Sequence, residues 1–311
     1  MKRNKRKSRI ILDSGAFSAW TRKTPLDIDK YILFIKEHID IIDTAVAIDV
    51  IPGEPNKKLT FQDRKDAAKQ SWLNYKYMLK KGIPNEKLMP VFHQGEDPNW
   101  LVKMMKLCSY IGISPANDKT PEQRKQWMNS VVKPLLFPDN VPLRKFHGFG
   151  VTTLSLVNEF PWFSVDSATW LRGAINGYIH TPTVQNGTQN FLKHWEVYFG
   201  DRKFKGKHIS NLTPLKKQLV TNWVHSQGSN LPELIEHYKK RNLMNFLFFL
   251  AAENQIKRTI FVFAGAEGIK SHLGEEERKI LLKKHPSFLF SYLMVNTKDK
   301  FNNLVKMLKE K

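Results

Sequence analysis

The chain holds a single cysteine, Cys108, among its 311 residues. One thiol excludes an internal disulfide and a zinc site assembled from several thiolates, and the count fits a reducing compartment. Long apolar runs are also missing. The strongest stretch, 244–252, falls well short of the roughly 20 residues that a membrane helix needs. No apolar run follows the basic N-terminus, as it does in a signal peptide. A cytoplasmic protein with no membrane partner is therefore expected. Internal repeats and low-complexity segments are absent too.

Negative charge is scarce: 29 Asp+Glu stand against 50 Lys+Arg, a net charge of +21 with a sequence pI near 9.8. A polyanionic partner explains that excess most simply, because each basic group set against a phosphate releases condensed counterions. The alternative is solubility alone. The first nine residues carry Lys2, Arg3, Lys5, Arg6, Lys7 and Arg9, either a phosphate-binding arm or a solvated start.

What the chain does have is 41% hydrophobic residues, enough for one large domain or two ordinary ones. Short β-type runs at 9–13, 44–49, 87–93, 109–114, 145–149 and 162–166 alternate with amphipathic stretches at 27–38, 63–81, 98–107 and 121–132. That rhythm predicts a parallel α/β architecture. Two further strands are expected at 258–264 and 288–295, with helices at 275–285 and 298–309. Eight strands would close a (β/α)8 barrel of the TIM type, a single catalytic domain over 1–311. Between 175 and 257 the pattern turns helix-rich and basic (214–225, 231–240, 243–255), which reads as an insertion in the C-terminal half.

Asp13, Asp49, His93-Gln94, Ser114, His147 and Asp166 all sit at or just past a predicted strand end. In a βα barrel those ends converge on one mouth, where active sites of that fold are built. One aspartate there is ordinary capping or turn chemistry. Three, each after an apolar run, point to catalysis.

The segments are Asp13-Ser-Gly-Ala-Phe-Ser18, Ala47-Ile-Asp-Val50, Pro90-Val-Phe-His-Gln-Gly95, Tyr110-Ile-Gly-Ile-Ser114, His147-Gly-Phe-Gly-Val-Thr152 and Phe163-Ser-Val-Asp-Ser167. In this order they resemble the guanine transglycosylase family over about residues 9–172, most specifically in the first motif. That family consists of (β/α)8 barrels that exchange guanine in nucleic acid for a 7-deazaguanine. Ile111-Gly-Ile-Ser-Pro-Ala-Asn-Asp118, the His-Gly-Phe-Gly-Val-Thr run and Val165-Asp-Ser-Ala-Thr-Trp170 resemble the DpdA branch, often phage-encoded, which places deazaguanines (preQ0-type) in DNA.

The resemblance implies roles position by position. Asp166 matches the nucleophile that attacks the sugar C1′ and carries a covalent glycosyl intermediate. Asp13 matches the general acid/base. Asp49 and Gln94 match residues that hydrogen-bond the purine edge, with Gly112 and its neighbours offering backbone groups. Phe17 and His147 flank the base, beside Gly148. The partners implied are DNA, with tRNA as the alternative, and a free 7-deazaguanine base; no cofactor and no metal are implied.

Plainer readings stand beside these. Phe17 fits core packing, His147 a satisfied buried histidine, and Gly148 and Gly150 simple turns. For His93 packing is favoured. Ser14 and Ser167 either orient their neighbouring aspartates or cap helices, and Trp162 and Trp170 read as packing. The lone cysteine departs from the Cys3His zinc of the tRNA-acting branches, which tilts the polymer toward DNA. Lys203, Lys205, Lys207, Lys216, Lys217, Lys239, Lys240 and Arg241 of the insertion are the candidate phosphate contacts. The competing enzyme class is a metal-dependent barrel hydrolase or nuclease with Asp13, Asp49, His93, His147 and Asp166 as ligands. A non-enzymatic nucleic-acid binder would explain the charge but not the aspartates.

Overall fold

The structure, a computed structural model, describes residues 10–256 except 56, 58, 117, 139–141, 152 and 201–205. The strands expected at 258–264 and 288–295, their helices and the basic start lie outside the described residues. The described chain divides into two compact units, one of 10–149 and 161–164, the other of 150–160 and 165–256.

The first unit alternates strand and helix. Its strands are β1 (Ile11–Leu12), β2 (Thr44–Val46), β3 (Leu88–Met89), β4 (Val91–His93), β5 (Tyr110–Ser114) and β6 (Lys145–Gly148); β7 (Ser164–Val165) straddles the unit boundary. The helices are α1 (Ala16–Arg22), α2 (Ile28–Glu37), α3 (Phe61–Lys80), α4 (Pro98–Leu107), α5 (Pro121–Trp127) and α6 (Lys133–Leu136), the last two joined by a π-helical turn, Met128–Val132. Their starts are written in the sequence. Thr60 and Asp63 form a capping box on α3, Thr120 and Gln123 do so on α5, and Asp97 caps α4 ahead of Pro98, each satisfying N–H groups that the first turn leaves without partners.

The sheets run β1-β2-β3 and β4-β5-β6-β7, so within each sheet every strand lies beside its predecessor in the chain. Pairing is parallel from β1 to β3 and from β4 to β6. The run expected at 87–93 is split by Pro90, which has no N–H to offer a ladder. Its first half pairs with β2 and its second half with β5. At the break Met89 O accepts from Ala47 N at 2.8 Å, and Pro90 O accepts from Gly112 N at 2.8 Å. The result is a mixed α/β unit with parallel sheets.

Side chains alternate across this sheet. Val46, Met89, Val91 and Tyr110 cluster on one face with Ile11, Phe149 and Phe163. On the other, Phe92 stacks on Trp127 at 5.9 Å and Phe146 on Phe137 at 5.2 Å. Phe92, Ile111 and Ile113 are fully buried, each stabilising the fold by about 1.5–3 kcal/mol. Cys108 is buried at the end of α4, and burial pushes its thiol up to about 11, so it packs rather than reacts.

The second unit contains α7 (Leu154–Glu159), α8 (Thr169–Ile175), β8 (Tyr178–Gln185), β9 (Thr188–Tyr198), α9 (Pro214–Ser226), α10 (Leu231–Glu236) and α11 (Tyr238–Glu253). The stretch expected to be helix-rich thus opens with a long antiparallel hairpin. Its turn is Asn186-Gly187, both left-handed (φ 49° and 76°), between the paired Gln185 and Thr188. Two residues at positive φ match the right-handed twist of the flanking strands, and Asn-Gly tolerates that geometry best. The core joins Ile179, Val197, Phe191, Trp223, Val224, Leu234 and Phe248. Buried Asn245 ties α11 to its neighbours: its Oδ1 accepts from His180 N, and its Nδ2 donates to Trp170 O and Tyr178 O.

Among the described residues no helix is long and apolar enough to cross a membrane.

Candidate active site

The first motif turns sharply out of β1. Gly15, at φ 74°, starts α1, a conformation that favours glycine. Buried Ser14 turns the chain into α1, its Oγ accepting from Ala16 N at 3.2 Å, and it donates at 3.3 Å to Asp49 Oδ1, not to the neighbouring Asp13 that it was expected to orient. Asp13 is exposed. Tyr31 of α2 donates to Val46 O at 3.0 Å and to Leu12 O at 3.4 Å, beneath both strand ends. Burial, then the negative charges of Asp13 and Asp49, push its phenol well above the usual range.

Asp49 lies beyond the β2 ladder, which ends at Val46. Helix α3 pins that extension, with Asn74 Nδ2 donating to Ile48 O at 3.0 Å and Val50 N donating to Ser71 Oγ at 2.9 Å. The second Asp49 oxygen, Oδ2, meets His93 Nε2 at 2.9 Å, and His93 Nδ1 meets Glu96 Oε1 at 2.9 Å. All three side chains are at least nine-tenths buried. Burial disfavours the charged imidazole, but the bonds to Asp49 and Glu96 and their charges outweigh it and raise His93 to about 10. His93, for which packing was favoured over a metal-ligand role, links two acids. Glu96 was missed, although its signal is visible: in His93-Gln-Gly-Glu96 the left-handed Gly95 (φ 96°) turns the chain back, and Glu96 N donates to His93 O at 3.2 Å.

Gln94 follows the end of β4 directly. Its Oε1 accepts from Ala116 N at 3.0 Å, which fixes the amide orientation and directs its nitrogen elsewhere. Phe17 is 44% exposed, 5.8 Å from the Trp20 ring; it is not core. The crevice lined by Asp49, Ser71, Trp72 and Met104, against α3 and α4, has no room for a water molecule, so it is packing slack and not a base pocket.

Other expected residues turn out to be structural. Gly112 N–H is committed to Pro90 O, and a Cβ there would stand 2.5 Å from the Phe149 ring, so its bareness admits Phe149. His147 is buried at 2% exposure, bonded through Nδ1 to Ser164 Oγ at 2.5 Å and edge-on to Phe149 at 4.5 Å. That corrects the stacking role expected of it, since a buried ring offers no face to a base. Gly148 is buried in β6, level with Ile113. Trp162 tilts onto Phe146 and Trp170 sits edge-on to Phe246, both packing as expected.

Asp166 belongs to the second unit. It is exposed, and its Oδ1 accepts from Gly150 N at 2.9 Å. Ser167 caps the start of α8 by accepting from Thr169 N at 2.9 Å.

The basic residues separate. Lys203 and Lys205 lie outside the described residues. Lys217 and Lys239 are exposed. Lys207 pairs with Glu196 at 2.9 Å, Lys240 with Glu233 at 3.2 Å, and Lys216 lies over the Trp195 ring at 4.6 Å. Arg241 is a correction: it is buried at 8% exposure and donates to Ala174 O, Leu234 O and Ile235 O, so it closes helix ends instead of contacting phosphate.

Among the described residues no group of three or more His, Cys, Asp or Glu is arranged to hold a metal ion, and both ring nitrogens of His93 are engaged by carboxylates. The chain matches no protein-family model, no curated protein and no solved structure.

Proposed function

We propose that the chain is a transglycosylase of the guanine/7-deazaguanine type acting on DNA, on a (β/α)8 scaffold. The observation that carries the reading is the junction of two strand ends. Asp13-Ser14 and Asp49 follow adjacent parallel strands, and Ser14 bridges to the Asp49 carboxylate. An exposed acid and a buried, oriented acid following adjacent strands suit a proton-transfer group and a base-recognition group.

In this reading Asp49 accepts hydrogen bonds from the N1–H and exocyclic amine of guanine. The Gln94 amide nitrogen suits an acceptor on the same base, and exposed Phe17 suits its face. The motif resemblance supplies the nucleophile. An Asp166 oxygen bonds to C1′ as the C1′–N9 bond breaks, and the departing guanine takes its proton from Asp13. Asp13 then removes the proton from the incoming deazaguanine, whose nitrogen displaces Asp166 and restores the original configuration. C1′ is reached by extruding the nucleotide, at a cost of a few kcal/mol that phosphate contacts of a +21 chain help to offset.

The test incubates purified protein with labelled 7-deazaguanine and either DNA or tRNA, followed by nucleoside mass spectrometry. Incorporation into DNA is expected. Incorporation only into tRNA would move the substrate to RNA, and none into either would end the transglycosylase reading.

A further inference from the structure

The Asp49 carboxylate is held from both sides. Ser14 Oγ donates to Oδ1 at 3.3 Å, His93 Nε2 lies 2.9 Å from Oδ2, and Glu96 Oε1 lies 2.9 Å from the far nitrogen of the same ring. A neutral imidazole has one N–H and one lone pair, so it would turn that lone pair toward one of the two carboxylates. An imidazolium has a donor for each. The geometry thus fits a charged ring between two anions, and the Asp49 charge is answered by a fixed donor instead of solvent.

Packing alone does not call for Glu96. Its side chain is 1% exposed, and its Oε2 has no hydrogen-bond partner among the described residues. Burying a carboxylate with an unmet oxygen is unfavourable, so a residue needed only to fill space would be apolar. What Glu96 does provide is a second anchor for the His93 ring, which fixes the direction of Nε2–H and through it the plane of Asp49.

We propose that His93 and Glu96 are positioning residues that hold Asp49 as an oriented carboxylate, so that the site selects a base presenting two adjacent donors. This rests on the reading of Asp49 as the base-recognition group. A carboxylate has about four acceptor positions, so Asp49 keeps acceptor capacity after serving Ser14 and His93. Guanine and 7-deazaguanines offer an N1–H and an amine to that capacity. Hypoxanthine has the first donor and lacks the second, so it isolates the contribution of the Asp49 plane.

The experiment is calorimetric titration of guanine and hypoxanthine into the intact protein, comparing wild type, His93→Gln, His93→Leu and Glu96→Gln, with circular dichroism as the folding check. Wild type is expected to prefer guanine by about tenfold or more, the usual effect of one unmet buried hydrogen bond. Glu96→Gln keeps the side-chain volume and removes the anchor charge; the preference should fall toward unity through weaker guanine binding, with hypoxanthine little changed. His93→Gln, which keeps a donor toward Asp49, should retain more of the preference than His93→Leu. A purely structural role would weaken both bases together. Folded Glu96→Gln and His93→Gln proteins with the wild-type preference would overturn the proposal, and Glu96→Gln carries that test if His93→Leu does not fold. Wild type binding neither base would instead overturn the function on which it rests.

Discussion

His93 Nε2 and Asp49 Oδ2 stand 2.9 Å apart, with their side chains 7% and 9% exposed. Removing one member of such a buried pair strands the other, a loss of about 3–5 kcal/mol in comparable settings. His93→Leu should therefore lower stability by about that amount, and His93→Gln by less. Equilibrium urea unfolding measures both; a His93→Leu protein as stable as wild type would contradict the ionic description.

The pair also sets an alkaline limit. His93 is raised from an ordinary 6.5 to about 10 in the folded chain, so between those values the folded state holds a proton that the unfolded state has lost. Its stabilisation is complete below about pH 6.5 and declines as pH rises toward 10, with a slope of up to about 1.4 kcal/mol per unit. Unfolding midpoints at pH 7 and pH 9 should differ accordingly, and His93→Gln should remove that component.

An acidic limit comes from His180. It is 3% exposed, ringed by Tyr178, His194, Phe248 and Phe249, and neither ring nitrogen has a hydrogen-bond partner among the described residues. Burial, then the neighbouring His194, lowers it to about 3. The unfolded chain takes up a proton at about pH 6.5 that the folded chain refuses, so stability falls as pH drops from 6.5 toward 3. His180→Phe should flatten the loss between pH 6.5 and 4.5; an unchanged profile would remove His180 as its source.

Gly112 leaves room for Phe149. Gly112→Ala should displace the ring and cost about 1–3 kcal/mol by overpacking. Gly112→Ala combined with Phe149→Ala should recover part of that cost, because the clash is gone. Thermal unfolding of the single and double variants checks it; purely additive losses would refute the contact.

For the chemistry, Asp13→Asn should reduce base exchange by about 10²–10⁴-fold, the usual contribution of a general acid/base, and Asp166→Asn should abolish it. A covalent adduct still trapped in Asp13→Asn and absent in Asp166→Asn would separate the two roles. Wild-type turnover in either variant would remove that residue from the mechanism.

How much was visible beforehand depended on whether the signal was local. Helix α4 appears at its expected bounds, 98–107, because an Asp-Pro start and an apolar periodicity define it within ten residues. The strand at 87–93 was legible as one run but not as two half-strands, since Pro90 changes meaning only when both neighbouring ladders are known. The hairpin of the second unit was legible and overlooked: Asn186-Gly187 between Thr-, Val- and aromatic-rich runs is a strong turn signal, obscured by the basic helical sequence that follows. Arg241 read as a phosphate contact until the carbonyl ends of α8 and α10 were placed around it. His93 and Glu96 join Asp49 from 44 and 47 positions away, a relation no periodicity encodes.

Pro90, finally, has a bearing on the order of assembly. The segment it divides belongs to two ladders, and they differ in how much chain must be looped before they form. Val91 meets Gly112 after 21 positions, whereas Leu88 meets Ala45 across 43. Loop closure costs roughly 0.6 kcal/mol more for each doubling of length, so the β4–β5 pairing has the cheaper start. Once it forms, the proline delivers Leu88 and Met89 already extended, and the second ladder grows from a segment whose freedom has been spent.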